Sequence, residues 1–99
     1  MAKETVRVVA RITARPEKVE ELKIVLRGLL NPTRREKSCV SYQLLQNKAD
    51  PTDFTFVEEW ESDAAIDAHF ATLHVQDALL QVASLVAKEP DIRRYAIIG

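Results

Sequence analysis

The sequence predicts an α+β fold of the ferredoxin-like type, with the element order βαββαβ, a four-stranded antiparallel sheet and both helices on one face of that sheet. Three observations predict it. Four segments have the apolar patterns of strands, two stretches repeat apolar residues at helical spacing, and a short turn joins the two middle strands. A chain of 99 residues can bury one hydrophobic core, so residues 1–99 are expected to form a single domain.

The first strand is expected in "TVRVVARIT", residues 5–13, where apolar and other side chains alternate with a period of two. The first helix is expected to begin near Pro16, because proline suits a first helical position and the glutamates that follow suit the positive end of the helix dipole. Its apolar residues recur at helical spacing to at least Leu30. Pro32 is expected to end or kink this helix.

The second and third strands are expected in "CVSYQLLQN" and "DPTDFTFVEEW", joined as an antiparallel hairpin by a turn at Asp50 and Pro51. The second helix is expected to start after an N-cap at Ser62. It is expected to break near Thr72, which can cap a second helical piece. The fourth strand, "DIRRYAII", follows Pro90.

The sheet face away from the helices is expected to mix apolar and polar side chains. The first strand places Arg7, Val9 and Arg11 there, while the second and third strands each leave two alternating sets open. Such a face is better covered by a second sheet than by water, so a homodimer packed face to face is expected. The open alternatives are the set of Tyr42 or that of Ser41 in the second strand, and Phe54, Phe56 and Glu58 or Thr55, Val57 and Glu59 in the third.

Composition argues against several classes of partner. The net charge is −1, with 14 basic and 15 acidic residues, so no nucleic acid or anionic membrane is expected to bind. The N-terminus lacks the apolar core of a signal peptide, and no apolar run approaches the length of a membrane span. The single cysteine, Cys39, suits a reducing compartment. The expectation is a soluble cytoplasmic protein.

Two histidines, His69 and His74, raise the possibility of a metal site. They are five residues apart, which on a continuous helix turns them about 140° from each other, and no clear third ligand is present. No metal is therefore expected. A thiol nucleophile formed by Cys39 and His69 is a weaker interpretation than a small apolar core cysteine. Gly28 and Gly99 are the only glycines, which excludes glycine-rich phosphate loops.

An uncharged pocket containing imidazole remains. Histidine can accept and return a proton near neutral pH, and Trp60 could form a flat apolar wall for a ring-shaped ligand. Periodicity alone favours the plainer alternative, in which His69 and Trp60 are ordinary core residues.

The stretch "VEEWESDAAIDAHFATLH", residues 57–74, resembles the signature region of the antibiotic biosynthesis monooxygenase (ABM) superfamily, and in particular its small, cofactor-independent quinol monooxygenase branch. Upstream, "NPTRREKSCVSYQL" resembles the stretch that joins helix one to strand two. Ser38 and Leu73 depart from the usual Gly and Pro of the family. The residues that match the pattern are Arg34, Glu36, Cys39, Tyr42, Glu58, Trp60, Glu61, Ser62, Ala65, Ala68, His69, Thr72 and His74.

The resemblance implies a dimeric α+β barrel that oxidises a small quinol or polycyclic phenol with O₂ through a substrate anion, without cofactor or metal. It implies His69 as the proton acceptor and His74 as a second acid or base, or as a cap on the broken helix. The implied substrate-binding residues are Trp60, Phe56, Tyr42 and Glu58, of which Glu58 could instead anchor an arginine.

Two other functions stay open at this point. One is a small-ligand-binding or stress-response barrel without turnover, and the other is an isomerase of a small phosphorylated signal. Haem degradation is not expected, because the positions that carry Asn, Trp and His in haem-degrading relatives hold Ala10, His69 and Leu79 here.

Overall fold

The computed structural model describes residues 4–99 and confirms the predicted order of strands and helices. One four-stranded sheet has the order β2-β3-β1-β4, with antiparallel pairing between all neighbours. The strands are β1 (Val6–Thr13), β2 (Cys39–Gln46), β3 (Asp53–Trp60) and β4 (Asp91–Ala96), and the helices are α1 (Val19–Arg27), α2 (Leu30–Arg34), α3 (Asp63–Phe70) and α4 (Leu73–Val82). This is the ferredoxin-like α+β fold.

The core lies between the sheet and the helices. Strand β3 alternates buried and partly buried residues along its whole length, so Phe54, Phe56 and Glu58 face the helices. Tyr42 of β2 is buried on the same face. The alternatives left open by the sequence are thereby decided, because the outer sheet face carries the sets of Ser41 and of Thr55, Val57 and Glu59.

The first helix breaks earlier than predicted. A 3-10 turn at Pro16–Lys18 leads into α1, which ends at Arg27, and α2 then begins at Leu30 and runs through Pro32. Pro32 therefore neither ends nor kinks the helix at its own position. As the third residue of α2 it lies in the first turn, where backbone N–H groups have no partner within the helix, so a proline costs little.

The second helix breaks where the sequence predicted. Ser62 caps α3 by accepting a hydrogen bond from the backbone N–H of Ala65 at 3.1 Å. The Thr72 hydroxyl donates to the carbonyl of His69 at 2.7 Å and accepts from the backbone N–H of Val75 at 3.4 Å. One side chain thus ends α3 and begins α4, and the missing family proline at Leu73 is not needed.

Ser38, which replaces the usual family glycine, is accommodated without strain. No residue between 4 and 99 has a positive φ, so the turn before β2 does not require glycine's left-handed conformation.

The edge strand β4 is exposed and pairs with β1 along its whole length. On its helix-facing side, the Arg94 guanidinium donates to Asp63 at 3.0 Å and to Asp67 at 2.6 Å, which fastens β4 to α3. The outer sheet face carries ion pairs between Arg7 and Glu59 and between Arg11 and Asp53, with Val9, Val57, Leu45 and Tyr95 among them. The face-to-face homodimer stays a prediction. No helix within residues 4–99 has the length and apolar character needed to cross a membrane.

The Ser62 cap leads to a stability prediction. Replacing Ser62 with Ala leaves the N–H of Ala65 without its partner and should lower the free energy of unfolding by about 1 kcal/mol. Urea unfolding measures this difference. Ser62→Asp, which can still accept that hydrogen bond, is the matched control and should keep most of the stability. Equal stability of the Ala and Asp variants would contradict the role of the cap.

Candidate functional site

A small cavity of about 50 Å³ lies between the sheet and the helices. Its walls are mostly apolar and come from β1, β3, α1, α4 and the start of β4. Three residues bring polar groups to it: Tyr42 on β2, Glu58 on β3 and His69 on α3. A largely apolar pocket with a few convergent polar groups is the usual form of a small-molecule site.

Two of these residues keep a polar atom without a hydrogen-bond partner. Among residues 4–99, neither the second carboxyl oxygen of Glu58 nor Nε2 of His69 has one, whereas the Tyr42 hydroxyl interacts with the side chain of Thr33. Within the same range, the only buried side-chain polar atoms sealed off without a partner are Thr33 Oγ1 and Asp53 Oδ1. The free Glu58 oxygen and His69 Nε2 are absent from that pair and belong to residues that line the cavity, so a ligand or water can reach them.

Glu58 is a buried carboxyl group that titrates near neutrality. Trp60 lies two residues further along β3, on the same face, and its indole N–H donates to Glu58 Oε1 at 2.8 Å. Burial raises the pKa of Glu58 to about 7; the tryptophan hydrogen bond opposes this rise, and the charge of Glu36 adds to it. Glu58 can therefore hold or release a proton at physiological pH.

His69 presents one nitrogen to the cavity and the other to a carboxylate. Nδ1 lies 2.7 Å from Glu36 Oε2, and the ring packs against Trp60 with 4.6 Å between ring centroids. Burial lowers the pKa of His69, although the hydrogen bond and charge of Glu36 act in the opposite direction. The imidazole is consequently neutral at pH 7 and can act as a proton acceptor.

Tyr42 lines the cavity, and its hydroxyl interacts with the side chain of Thr33. Burial, and secondarily the charge of Glu58, raises the pKa of Tyr42 well above its ordinary value, so the phenol keeps its proton. Its ring stacks on Phe56 at a centroid distance of 4.9 Å, and Phe56 lies on the cavity wall. Arg34 positions this part of β2, because its guanidinium donates twice to the Tyr42 carbonyl, at 2.9 and 3.1 Å.

Two of the predicted site residues lie behind the cavity wall. Trp60 is completely buried (0% exposed) and does not line the cavity, because its indole is covered by His69 and bound to Glu58. His74 does not line it either. Its side chain is 25% exposed, and its Nε2 lies 2.8 Å from Glu36 Oε2, the oxygen that His69 also contacts.

Glu36 is the residue to which sequence reasoning assigned no role. It lies between α2 and β2, 33 positions before His69, within the charged run "RREK". The family resemblance includes this position, but nothing local distinguishes its carboxylate from its charged neighbours.

The spacing argument against a metal site does not hold, because the helix is not continuous. The break at Thr72 brings the rings of His69 and His74 to 6.1 Å between centroids, and Glu36 completes a set of two histidines and one carboxylate whose ligand atoms lie within 4.8 Å of one another. Such a set could hold a transition metal.

The distances within the set are nevertheless those of hydrogen bonds. Both nitrogens approach the same carboxylate oxygen, at 2.7 and 2.8 Å, whereas ligand atoms around a tetrahedral zinc ion stand about 3.3 Å apart. The cluster is satisfied by hydrogen bonds as it stands, and the ligand atoms would have to move apart to admit an ion.

Fold and site together define the class of protein: a small ferredoxin-like domain with acid–base side chains in an apolar cavity between its sheet and its helices. The chain belongs to the antibiotic biosynthesis monooxygenase family, whose sequence model matches residues 5–96.

Known proteins resemble the chain over most of its length. The uncharacterized protein sll1783 of Synechocystis is 31% identical over 90 residues, which are 91% of this chain and 61% of that protein, so the chain spans less than two thirds of this relative. PA3566 of Pseudomonas aeruginosa, a solved structure, is 30% identical with a TM-score of 0.91 and coverage of 97% and 96%. A crystal structure of an antibiotic biosynthesis monooxygenase is 28% identical, with a TM-score of 0.90 and coverage of 95% and 99%.

The buried carboxyl group should make stability depend on pH. Because folding raises the pKa of Glu58 from 4.5 to about 7, the folded chain keeps a proton that the unfolded chain releases, and the free energy of unfolding falls as the pH rises across that window. The full loss attributable to Glu58 is about 3 kcal/mol.

Glu58→Gln removes this titration and can keep the bond from Trp60. The variant should therefore gain stability relative to the wild type as the pH is raised from about 5 to about 8, measured by urea unfolding at each pH. Glu17→Gln, at an exposed position, is the control and should follow the wild type. Parallel pH curves for wild type and Glu58→Gln would contradict the assignment.

Proposed function

We propose that the protein is a cofactor-independent monooxygenase that oxidises a small quinol or phenol with O₂ through a substrate anion. The observation that carries this proposal is the free Nε2 of a neutral His69, which faces an apolar cavity together with Tyr42 and Glu58. Membership of the antibiotic biosynthesis monooxygenase family supports the same reaction class.

The first step is removal of a proton from the substrate hydroxyl by Nε2 of His69. The resulting anion needs hydrogen-bond donors, and the Tyr42 hydroxyl, which keeps its proton, can supply one. The apolar walls exclude competing water and strengthen these interactions. The protein thus needs to supply a proton acceptor, a hydrogen-bond donor and an apolar cavity that excludes water.

The second step is oxidation of the anion by O₂. Electrons of the anion form a carbon–oxygen bond with O₂, and protonation of the outer oxygen gives a hydroperoxide. Loss of water then breaks the O–O bond and removes the hydrogen of that carbon, which becomes a carbonyl. One oxygen atom enters the product and the other leaves as water. The proton that this step consumes can come from the His69 cation formed in the first step, or from Glu58, whose pKa of about 7 lets it hold one; in the second case the proton on His69 restores Glu58.

The size of the cavity favours a substrate with a single ring. Its volume of about 50 Å³ is well below the approximately 150 Å³ of a cavity that accommodates benzene. Even one ring therefore requires the wall to move. Leu79 of α4 lies on that wall and is 41% exposed, so we expect it to be the wall residue that moves.

An isomerase of a phosphorylated signal is less well supported. A phosphate group needs cationic or backbone N–H donors, and no Lys or Arg between residues 4 and 99 lines the cavity, whereas Glu58 does. A protein that binds a small ligand without turning it over would use the same cavity. The assay for product formation distinguishes this function from the monooxygenase.

Oxygen dependence is the direct test of the proposed reaction. The purified protein, treated with a chelator, is incubated with single-ring hydroquinones and with anthrones, under air and under argon. Product should form in air only, with hydroquinones turned over faster than anthrones. His69→Gln should lower kcat by about 10²–10⁴-fold, because the base is lost.

Controls separate the alternatives in this assay. Glu17→Gln should retain wild-type rates. Equal product formation under argon would disprove the monooxygenase reaction, and ligand binding without product in any condition would identify a binding protein.

We also propose that two chains pack through their outer sheet faces. Val9, Val57, Leu45 and Tyr95 leave apolar area on this face between the ion pairs. Sedimentation at micromolar concentration should give the mass of two chains. The Val9→Asp substitution should lower the measured mass towards that of one chain. Leu73→Asp, at an exposed position on α4, is the control and should leave the dimer intact. A mass of one chain for the wild type would contradict the dimer.

A further inference from the structure

Glu36 and His74 form a second layer of polar side chains behind His69. We propose that Glu36 is a positioning residue that fixes the tautomer of His69, and that His74 holds the Glu36 carboxylate in place from the outer side. The catalytic consequence rests on the proposed role of His69 as the base, while the tautomer itself does not.

The argument starts from the chemistry of the two groups. A carboxylate has lone pairs and no proton, so it can only accept hydrogen bonds. Because Glu36 Oε2 lies 2.7 Å from Nδ1 of His69, that nitrogen must carry the proton of the neutral ring. The lone pair is then on Nε2, the nitrogen that faces the cavity. A ring with the opposite tautomer would present an N–H to the substrate and could not take its proton.

Glu36 also provides charge where the reaction requires it. When Nε2 of His69 accepts a proton, the ring becomes a cation within hydrogen-bonding distance of a carboxylate, in largely apolar surroundings. This attraction partly offsets the cost of placing a charge in the core. The other ionisable groups around the ring are His74, whose charge acts against this protonation, and Tyr42 on β2, while Glu58 on β3 lines the same cavity.

Several contacts keep the carboxylate in position. The backbone N–H of Glu36 donates to the carbonyl of Thr33 at 3.0 Å, and its carbonyl accepts from the N–H of Cys39 at 3.1 Å. His74 Nε2 lies 2.8 Å from the same carboxylate oxygen, and the Thr72 hydroxyl lies 3.3 Å from the same His74 nitrogen. The ring of His74 borders a surface groove between α1 and α4, next to Asp77.

The chain is well suited to a direct test because it contains only two histidines. Long-range ¹H–¹⁵N correlation spectra of the uniformly ¹⁵N-labelled protein distinguish the Nδ1–H from the Nε2–H tautomer of each ring. His74→Asn leaves one ring and so assigns His69. The wild type should show His69 as the Nδ1–H tautomer at neutral pH. An Nε2–H tautomer in the wild type would overturn the proposal without any variant at position 36.

Two substitutions at Glu36 separate its contributions. Glu36→Leu removes the acceptor, so His69 should shift to the Nε2–H tautomer or a mixture of both. Glu36→Gln can still accept from Nδ1 through its amide oxygen but carries no charge, so the tautomer should persist. Glu17→Gln is the exposed control and should give the wild-type spectrum. An unchanged Nδ1–H tautomer in Glu36→Leu would disprove the positioning role.

Kinetics with a hydroquinone then connect the tautomer to turnover. Glu36→Leu should lower kcat by about 10²–10⁴-fold, with KM changed by less than about threefold, and Glu36→Gln should lie between it and the wild type. His74→Asn can still donate to Glu36 and should lose less than Glu36→Leu. A fixed tautomer in a protein without turnover would refute the monooxygenase function while leaving the positioning role intact. Turnover by a protein whose His69 carries its proton on Nε2 would refute the positioning role while leaving the monooxygenase function intact.

Discussion

The turn at Thr72 is the constraint on which the site depends. Its hydroxyl donates to the last turn of α3 and accepts from the first turn of α4, so a single side chain stabilises both helix ends. On an unbroken helix the two histidines would point about 140° apart. The turn instead lets His69 reach the cavity while His74 meets Glu36 from outside. The geometry of the polar cluster is thus a consequence of how one helix is interrupted.

Burial then gives Glu58 and His69, two of the ionisable groups of the cavity, complementary properties. It raises the pKa of Glu58 and lowers the pKa of His69, because each group is harder to charge away from water. Near neutral pH the cavity therefore holds a carboxyl group able to keep a proton and an imidazole able to accept one. Paired groups with pKa values shifted in this way are typical of acid–base sites. Trp60 contributes from behind the wall, by donating to Glu58 and packing against His69.

Much of the fold could be predicted because its signals are local. The strand alternation, the cap at Ser62 and the break near Thr72 depend on residues within a few positions of one another. The errors came from packing. Pro32 lies in the first turn of a new helix, where it is tolerated, because the preceding helix had already ended at Arg27. Trp60 has the size and shape of a pocket wall, but the depth at which a side chain lies depends on what covers it.

The sequence by itself determined the order of the elements, the family, and the types of side chain available for chemistry. These follow from short-range periodicity and from a motif that is continuous in the chain. Only the tertiary structure decided which of those side chains meet. Glu36 is 33 residues from His69, and its contact with both histidines depends on how α2, α3 and α4 pack on the sheet. A carboxylate that contacts an imidazole far away in the sequence leaves no local sequence pattern, because separation along the chain does not indicate separation in space.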